Sequence, residues 1–103
     1  MIFPAGPALK EEDEAEAAAI HTVFSQSPKI LSSKSLLGHL LGAEIATEMA
    51  ISALMLDRQM IPSHIASSSD MSVHGSNSSM KHALILSAGL GGAYASLIVS
   101  KSD

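Results

Sequence analysis

The chain has 103 residues, 47% of them hydrophobic and 3% aromatic, with no cysteine, no tryptophan and a formal net charge of −4. That length holds one small domain or part of a larger one. The lack of a thiol excludes disulfides, thiolate metal sites and a cysteine nucleophile within this polypeptide. Six Lys plus Arg against ten Asp plus Glu is the wrong balance for a phosphate-backbone binder, so nucleic acid is not an expected partner.

Met1 to Lys10 contains Pro4, Gly6 and Pro7 and is expected to be an irregular start. A helix is predicted from Glu11 to about Phe24, because acids in a first turn complement the helix dipole and Ala15, Ala17, Ala18 and Ala19 favour helix. Its expected buried stripe is Ala19, Ile20, Val23 and Phe24, with Glu11 to Glu16 as a solvated face. After a turn at Ser25 to Pro28, Lys29 to Leu31 is a short candidate strand, and Ser32 to Gly38 a loop leading into a second helix.

That helix is predicted over Leu40 to Leu56, on the spacing of Leu37, Leu41, Ile45, Met49, Ser52 or Ala53, and Leu56. Glu44 and Glu48 lie one turn apart and, taken alone, form the wet side of it. Arg58, Gln59 and Pro62 stop the helix. Ser67 to Ser79 holds seven serines and continues to residue 82 as a polar loop. Ala83 to Leu86 and Ala95 to Val99 are predicted strands joined through Gly89 to Gly92, whose glycines permit positive-φ backbone. The expected order is helix, strand, helix, strand, strand.

The most informative stretch is Lys34-Ser35-Leu36-Leu37-Gly38-His39-Leu40-Leu41-Gly42-Ala43, a lysine and an imidazole at a loop-to-helix junction beside glycines. It resembles the motif Lys-x-x-x-Gly-His-x-x-Gly-Ala of the β-ketoacyl-acyl carrier protein synthases, the condensing enzymes of fatty acid and polyketide synthesis. Glu48 stands at the offset of that family's helix glutamate. Upstream, Asp13, Glu16, Ala19 and Ile20 are similar to the family's Asp-x-x-Glu-x-x-Ala-Ile helix. Downstream, Ile61-Pro62 resembles its Pro-rich stretch and Ser87-Ala88-Gly89-Leu90-Gly91-Gly92 its terminal Ser-Phe-Gly-Phe-Gly-Gly segment.

The resemblance spans essentially the whole chain and implies an α/β fold class: the C-terminal portion of a thiolase-like fold, with helices on a mixed sheet ending in an antiparallel strand pair. Residues 1–103 are then a single partial domain, with a sheet edge left exposed. Members decarboxylate a malonyl thioester and let the carbanion attack an acyl group carried on cysteine. The implied catalytic positions are His39, Lys34 and Glu48. His39 polarises the thioester carbonyl, a contribution of about 3 to 4 kcal/mol for a well-placed donor, and Lys34 pairs with Glu48. Leu90, Gly91 and Gly92 border the acyl site.

Three departures matter. The family's first catalytic histidine aligns with Ala5, and its cysteine falls upstream of Met1; both gate phenylalanines are replaced, by Ala88 and Leu90. Val73-His74-Gly75-Ser76 mimics the missing His-Gly-Thr but follows the lysine motif and sits in the serine-rich loop. Cooperating catalytic groups lose most of their rate when one is removed, so the chain is expected to be inactive alone. A non-catalytic partner subunit of the chain-length-factor kind is the alternative. A small membrane protein is a third reading, since Ala83 to Val99 carries no charge.

By resemblance the partners are acyl carrier protein and a full-length synthase or missing N-terminal half, in an oligomer. No cofactor and no metal site is expected: His21, His39, His64, His74 and His82 show no pair at ligand spacing. No secretory signal opens the chain, so the expected location is the cytoplasm.

Overall fold

The computed structural model describes residues 1–5, 10–25, 28–32, 43–61, 79–88 and 92–102. Its elements are β1 (Ile2–Phe3), α1 (Lys10–Val23), α2 (Glu44–Arg58), β2 (His82–Ala88) and β3 (Tyr94–Ser100). They form an α/β arrangement on one mixed sheet in the order β1-β2-β3. β2 and β3 are antiparallel, with Ala83 opposite Val99, Leu84 opposite Ile98 and Ile85 opposite Leu97. Both strands run slightly beyond the ranges expected from the sequence, and His82 is the first residue of β2 rather than the end of the polar loop.

The opening segment corrects the sequence reading. Ile2 and Phe3 are a strand, parallel to β2, with Ile2 opposite Leu84 and Phe3 opposite Ile85. On its other side Ile2 bridges Ile30: the Ile2 N–H donates to the Lys29 carbonyl at 2.7 Å, and the Leu31 N–H donates to the Ile2 carbonyl at 2.9 Å. The candidate strand at Lys29 to Leu31 is therefore a bridge on β1. Two residues carry no readable periodicity, and the pairing that makes them a strand comes from far along the chain.

Alternation along the strands sends the two sets of side chains to opposite faces. On one face Phe3, Leu31, Met55, Ile61 and Ile85 form the buried cluster, with Ile45, Ile51, Leu97 and Val99 packed around it. Phe3 and Ile85 are fully buried; each such side chain contributes about 1.5–3 kcal/mol relative to exposure. α2 covers this face. Its buried residues are Glu48, Ser52, Met55 and Leu56, a stripe at helical spacing rotated from the predicted one, so that Met49 is 43% exposed. Glu48 is thus on the inner side of the helix.

On the other face Leu84 and Leu86 of β2 are bordered by Ala15 and Ala19 of α1 at one groove and by Phe24, just after the helix, at another. α1 covers this face thinly. Ile20 is buried, but Val23 is 73% exposed and Ala19 is exposed, against the predicted stripe. Short alanine side chains give α1 little apolar surface with which to seat itself.

α2 ends where the sequence placed its stop. Gln59 adopts the left-handed conformation (φ 51°, ψ 42°), and its N–H reaches back to the Met55 carbonyl. Its side-chain amide joins helix to sheet: Nε2 donates to the Leu56 carbonyl at 2.6 Å and the Met80 carbonyl at 2.8 Å, while Oε1 accepts from the Met80 N–H at 2.7 Å. The amide of Gln59 thereby pairs with the peptide groups of Met80 as a neighbouring strand would, fixing the entry to β2. The uncharged stretch Ala83 to Val99 contributes to two antiparallel strands, β2 and β3, and not to one spanning helix. Among the described residues no helix is long and apolar enough to cross a membrane.

Candidate functional site

β1 and β2 run parallel with Phe3 opposite Ile85, and β2 continues beyond the end of β1 to Ala88. The crevice beyond the carboxyl ends of parallel strands is where α/β sheets place ligands. Here it is a groove of about 450 Å³ lined by residues including Ala5, Glu16, Leu86, Ala88 and Tyr94. One contact shapes its mouth: the Ala5 N–H donates to Glu16 Oε2 at 2.7 Å, tying the segment after β1 to the side of α1. Glu16 was expected on a solvated face; it is half-buried and positions Ala5 instead. The signal that could have found it is the Asp13-x-x-Glu16-x-x-Ala19-Ile20 resemblance, which sets this glutamate apart from its exposed neighbours Glu11 and Glu14.

Chemically the groove is suited to holding an apolar segment more than to moving protons. A methyl group at Ala5 can neither donate nor accept, Glu16 is engaged, and Ser87 and Ser96 supply hydroxyls. At the far side of the β2–β3 connection Gly92 has φ 81°, a conformation that L side chains rarely adopt. It is exposed, and a Cβ there meets nothing within 4 Å, so backbone conformation rather than crowding makes glycine the suitable residue.

Glu48 is 2% exposed and partnered. Burying a carboxylate is tolerated when charge or hydrogen bonds compensate it. Ser52, one turn on, is fully buried and donates from Oγ to the Met49 carbonyl at 2.9 Å, satisfying itself within the helix. Of the site positions inferred from the sequence, Glu48 and Gly92 are therefore placed, whereas Lys34, His39, Leu90 and Gly91 lie outside the described residues, as does His74.

A second groove, about 410 Å³, opens beside Ile2, Phe24, Leu84 and Ile98, with His82 and Ser100 at one end. His82 Nδ1 and Ser100 Oγ are 2.9 Å apart across the strands. The Met1 amino group donates to the His82 carbonyl at 3.1 Å. Its pKa lies below the usual 8.0, chiefly because burial disfavours the charged form and secondarily because the positive charge of Lys29 is near. Among the described residues no group of three His, Asp or Glu is placed to hold a metal ion.

The family model for the beta-ketoacyl synthase, C-terminal domain, matches residues 1–68, which include β1, α1, the Lys34 to Ala43 motif and α2. The chain belongs to this family. The ketoacyl synthase match takes in Ala5, Glu16, Lys34, His39 and Glu48, and leaves β2, β3 and the glycines between them outside it. No solved structure matches the chain. Ala5 and Glu16, which line the groove at the strand ends, thus lie within the family match, as does Glu48 on the inner side of α2.

Proposed function

We propose that the chain is the C-terminal segment of a thiolase-like decarboxylative condensing enzyme, inactive by itself, in which Lys34, His39 and Glu48 occupy the family's site positions and Leu90, Gly91 and Gly92 border the acyl site. The observation that carries this reading is Glu48. A glutamate five residues beyond the lysine–histidine motif is buried and partnered on the inner side of α2, where a solvated helix would leave it outside. Lys34 is the cation this reading assigns to it, and the buried carboxylate of Glu48 is then compensated as its burial requires.

His39 is the remaining donor for the malonyl thioester oxygen. Its partner imidazole is absent because Ala5 stands in that place, and no thiol receives the acyl group. Acyl carrier protein and a cysteine-bearing synthase portion are the partners this chemistry needs. Ala5, Ala88 and Leu90 favour a second reading, a non-catalytic subunit that helps shape the acyl tunnel of an active synthase, because all three replace reactive or gating side chains by smaller or aliphatic ones.

Decarboxylation of malonyl-acyl carrier protein by the purified chain is the test. No turnover is expected from the chain alone. Turnover that disappears in His39→Ala would overturn the claim of inactivity. Gain of condensing activity with a cysteine-bearing synthase portion supports the segment reading, and altered product length without any requirement for His39 supports the subunit reading.

A further inference from the structure

The groove beside Ile2 and Phe24 carries a chemistry of its own. Its walls are apolar, from Ile2, Phe24, Pro28, Leu84 and Ile98, and its side-chain polar atoms gather at one end, where His82 and Ser100 stand. At about 410 Å³ it is of the size that small-molecule sites occupy. Leu84 and Ile98, opposite one another on β2 and β3, form its floor, and Ile98 is 67% exposed, so a large apolar side chain is open to a ligand there.

The backbone imposes the meeting of His82 with Ser100. They are opposite residues in the β2–β3 ladder. One residue beyond them the Lys101 N–H donates to the Lys81 carbonyl at 2.9 Å, which makes 82 and 100 a non-bonded pair, the kind whose side chains approach most closely. Both side chains therefore stand on the face of Leu84 and Ile98, and His82 Nδ1 lies 2.9 Å from Ser100 Oγ. That is the reach of a nucleophile to its general base. An imidazole with its proton on Nε2 leaves Nδ1 to accept from the serine hydroxyl. The Met1 nitrogen donates to the His82 carbonyl at 3.1 Å and holds β1 against the same end.

We propose that Ser100 and His82 form a nucleophile–base pair that hydrolyses oxygen esters of unbranched aliphatic carboxylic acids, with the acyl chain lying in the groove over Leu84 and Ile98. Ser100 Oγ attacks the ester carbonyl carbon while its proton passes to His82 Nδ1. The bond from that carbon to the alcohol oxygen breaks, and the imidazolium returns the proton to the departing alcohol. Water then adds to the acyl-serine, giving a proton to His82, which passes it to Ser100 Oγ as the carboxylic acid leaves. Both side chains are exposed, so the alcohol departs directly into solvent. The pair lies outside residues 1–68 of the family match and owes nothing to the condensing chemistry proposed above.

Hydrolysis of p-nitrophenyl esters by the 103-residue chain, with peptide mass spectrometry after treatment with an alkyl fluorophosphonate, tests it. Turnover is expected, with kcat/KM rising about two- to fourfold for each CH₂ from acetate to hexanoate as the acyl chain fills the groove. Ser100→Ala and His82→Gln should each lower the hexanoate rate by about tenfold or more, since a positioned general base contributes about 10²–10⁴-fold. Both positions are exposed, so their urea midpoints should stay near that of the parent chain. The fluorophosphonate should label Ser100 in the parent and leave it unlabelled in His82→Gln. If either variant fails to fold, labelling of the unmodified chain and its preference among the esters decide. Hexanoate hydrolysis unchanged in Ser100→Ala would overturn the proposal, because other imidazole or amine groups would then account for it. So would an acetate kcat/KM equal to or above that of hexanoate, or a parent chain whose Ser100 takes no label.

Discussion

Gln59 offers a perturbation in which two physical effects have opposite signs. Its backbone is left-handed at φ 51°, which for a residue with a Cβ costs about 1 kcal/mol relative to glycine. Against that stand the three side-chain hydrogen bonds to Leu56 and Met80, 2.6 to 2.8 Å long. Gln59 is exposed, so each bond is taken near the low end of the usual range, about 0.5–1 kcal/mol. Together they contribute about 1.5–3 kcal/mol, and replacing Gln59 by glycine should leave a net loss of about 0.5–2 kcal/mol. Gln59→Glu should cost more, about 2–3 kcal/mol. A second carboxylate oxygen would face the Leu56 and Met80 carbonyls, and its charge would lie at the negative end of the α2 dipole. Urea unfolding of the two variants and the parent gives the order directly: parent, then Gly, then Glu. A Gln59→Gly chain more stable than the parent would refute the reasoning, because relief of backbone strain would then outweigh the helix-to-strand clamp.

The remaining predictions concern the site, the turn and the pH response. Glu48→Gln and Lys34→Met should be non-additive, with a coupling of about 1–3 kcal/mol in a double-mutant cycle read by urea unfolding; additivity would remove Lys34 as the partner of Glu48. Gly92→Ala should destabilise by about 1 kcal/mol through φ alone, since open space surrounds the new methyl; an unchanged urea midpoint would show that the turn relaxes freely. For a polypeptide bearing a free amine at Met1, the folded state releases that proton at a lower pH than the unfolded state does. Between the lowered pKa and 8.0 the unfolded chain therefore binds more protons, and stability rises with pH. The penalty is full below that window and gone above it. Urea midpoints across the window should climb for the free amine and climb less for the same chain acetylated at Met1; parallel profiles would remove the burial of this group as the cause.

Local chemistry made some of the molecule readable in advance. The acid-led, alanine-rich start of α1, the apolar spacing of α2 with its stop at Arg58 and Gln59, and the two apolar strands separated by glycines all act within a few residues of one another. The family was legible for a similar reason: Lys34, Gly38, His39, Gly42 and Ala43 form a local motif, with Glu48 close behind. What escaped was everything that depends on who sits opposite. Ile2 and Phe3 become a strand only because Leu84 and Ile85 lie beside them. α2 turns Glu48 inward and Met49 outward because the Phe3–Ile85 face selects which side of an almost uniformly apolar helix is covered. Glu16 leaves the solvated acidic run because Ala5 presents an N–H to it. Sequence by itself determined the two helices, the two long strands and the family they belong to, since those follow from propensity, spacing and motif. Only the tertiary structure decided which face of each helix is buried, which acid is positioned and which strand edge stays open, because those are fixed by free energies of contact between residues far apart in the chain.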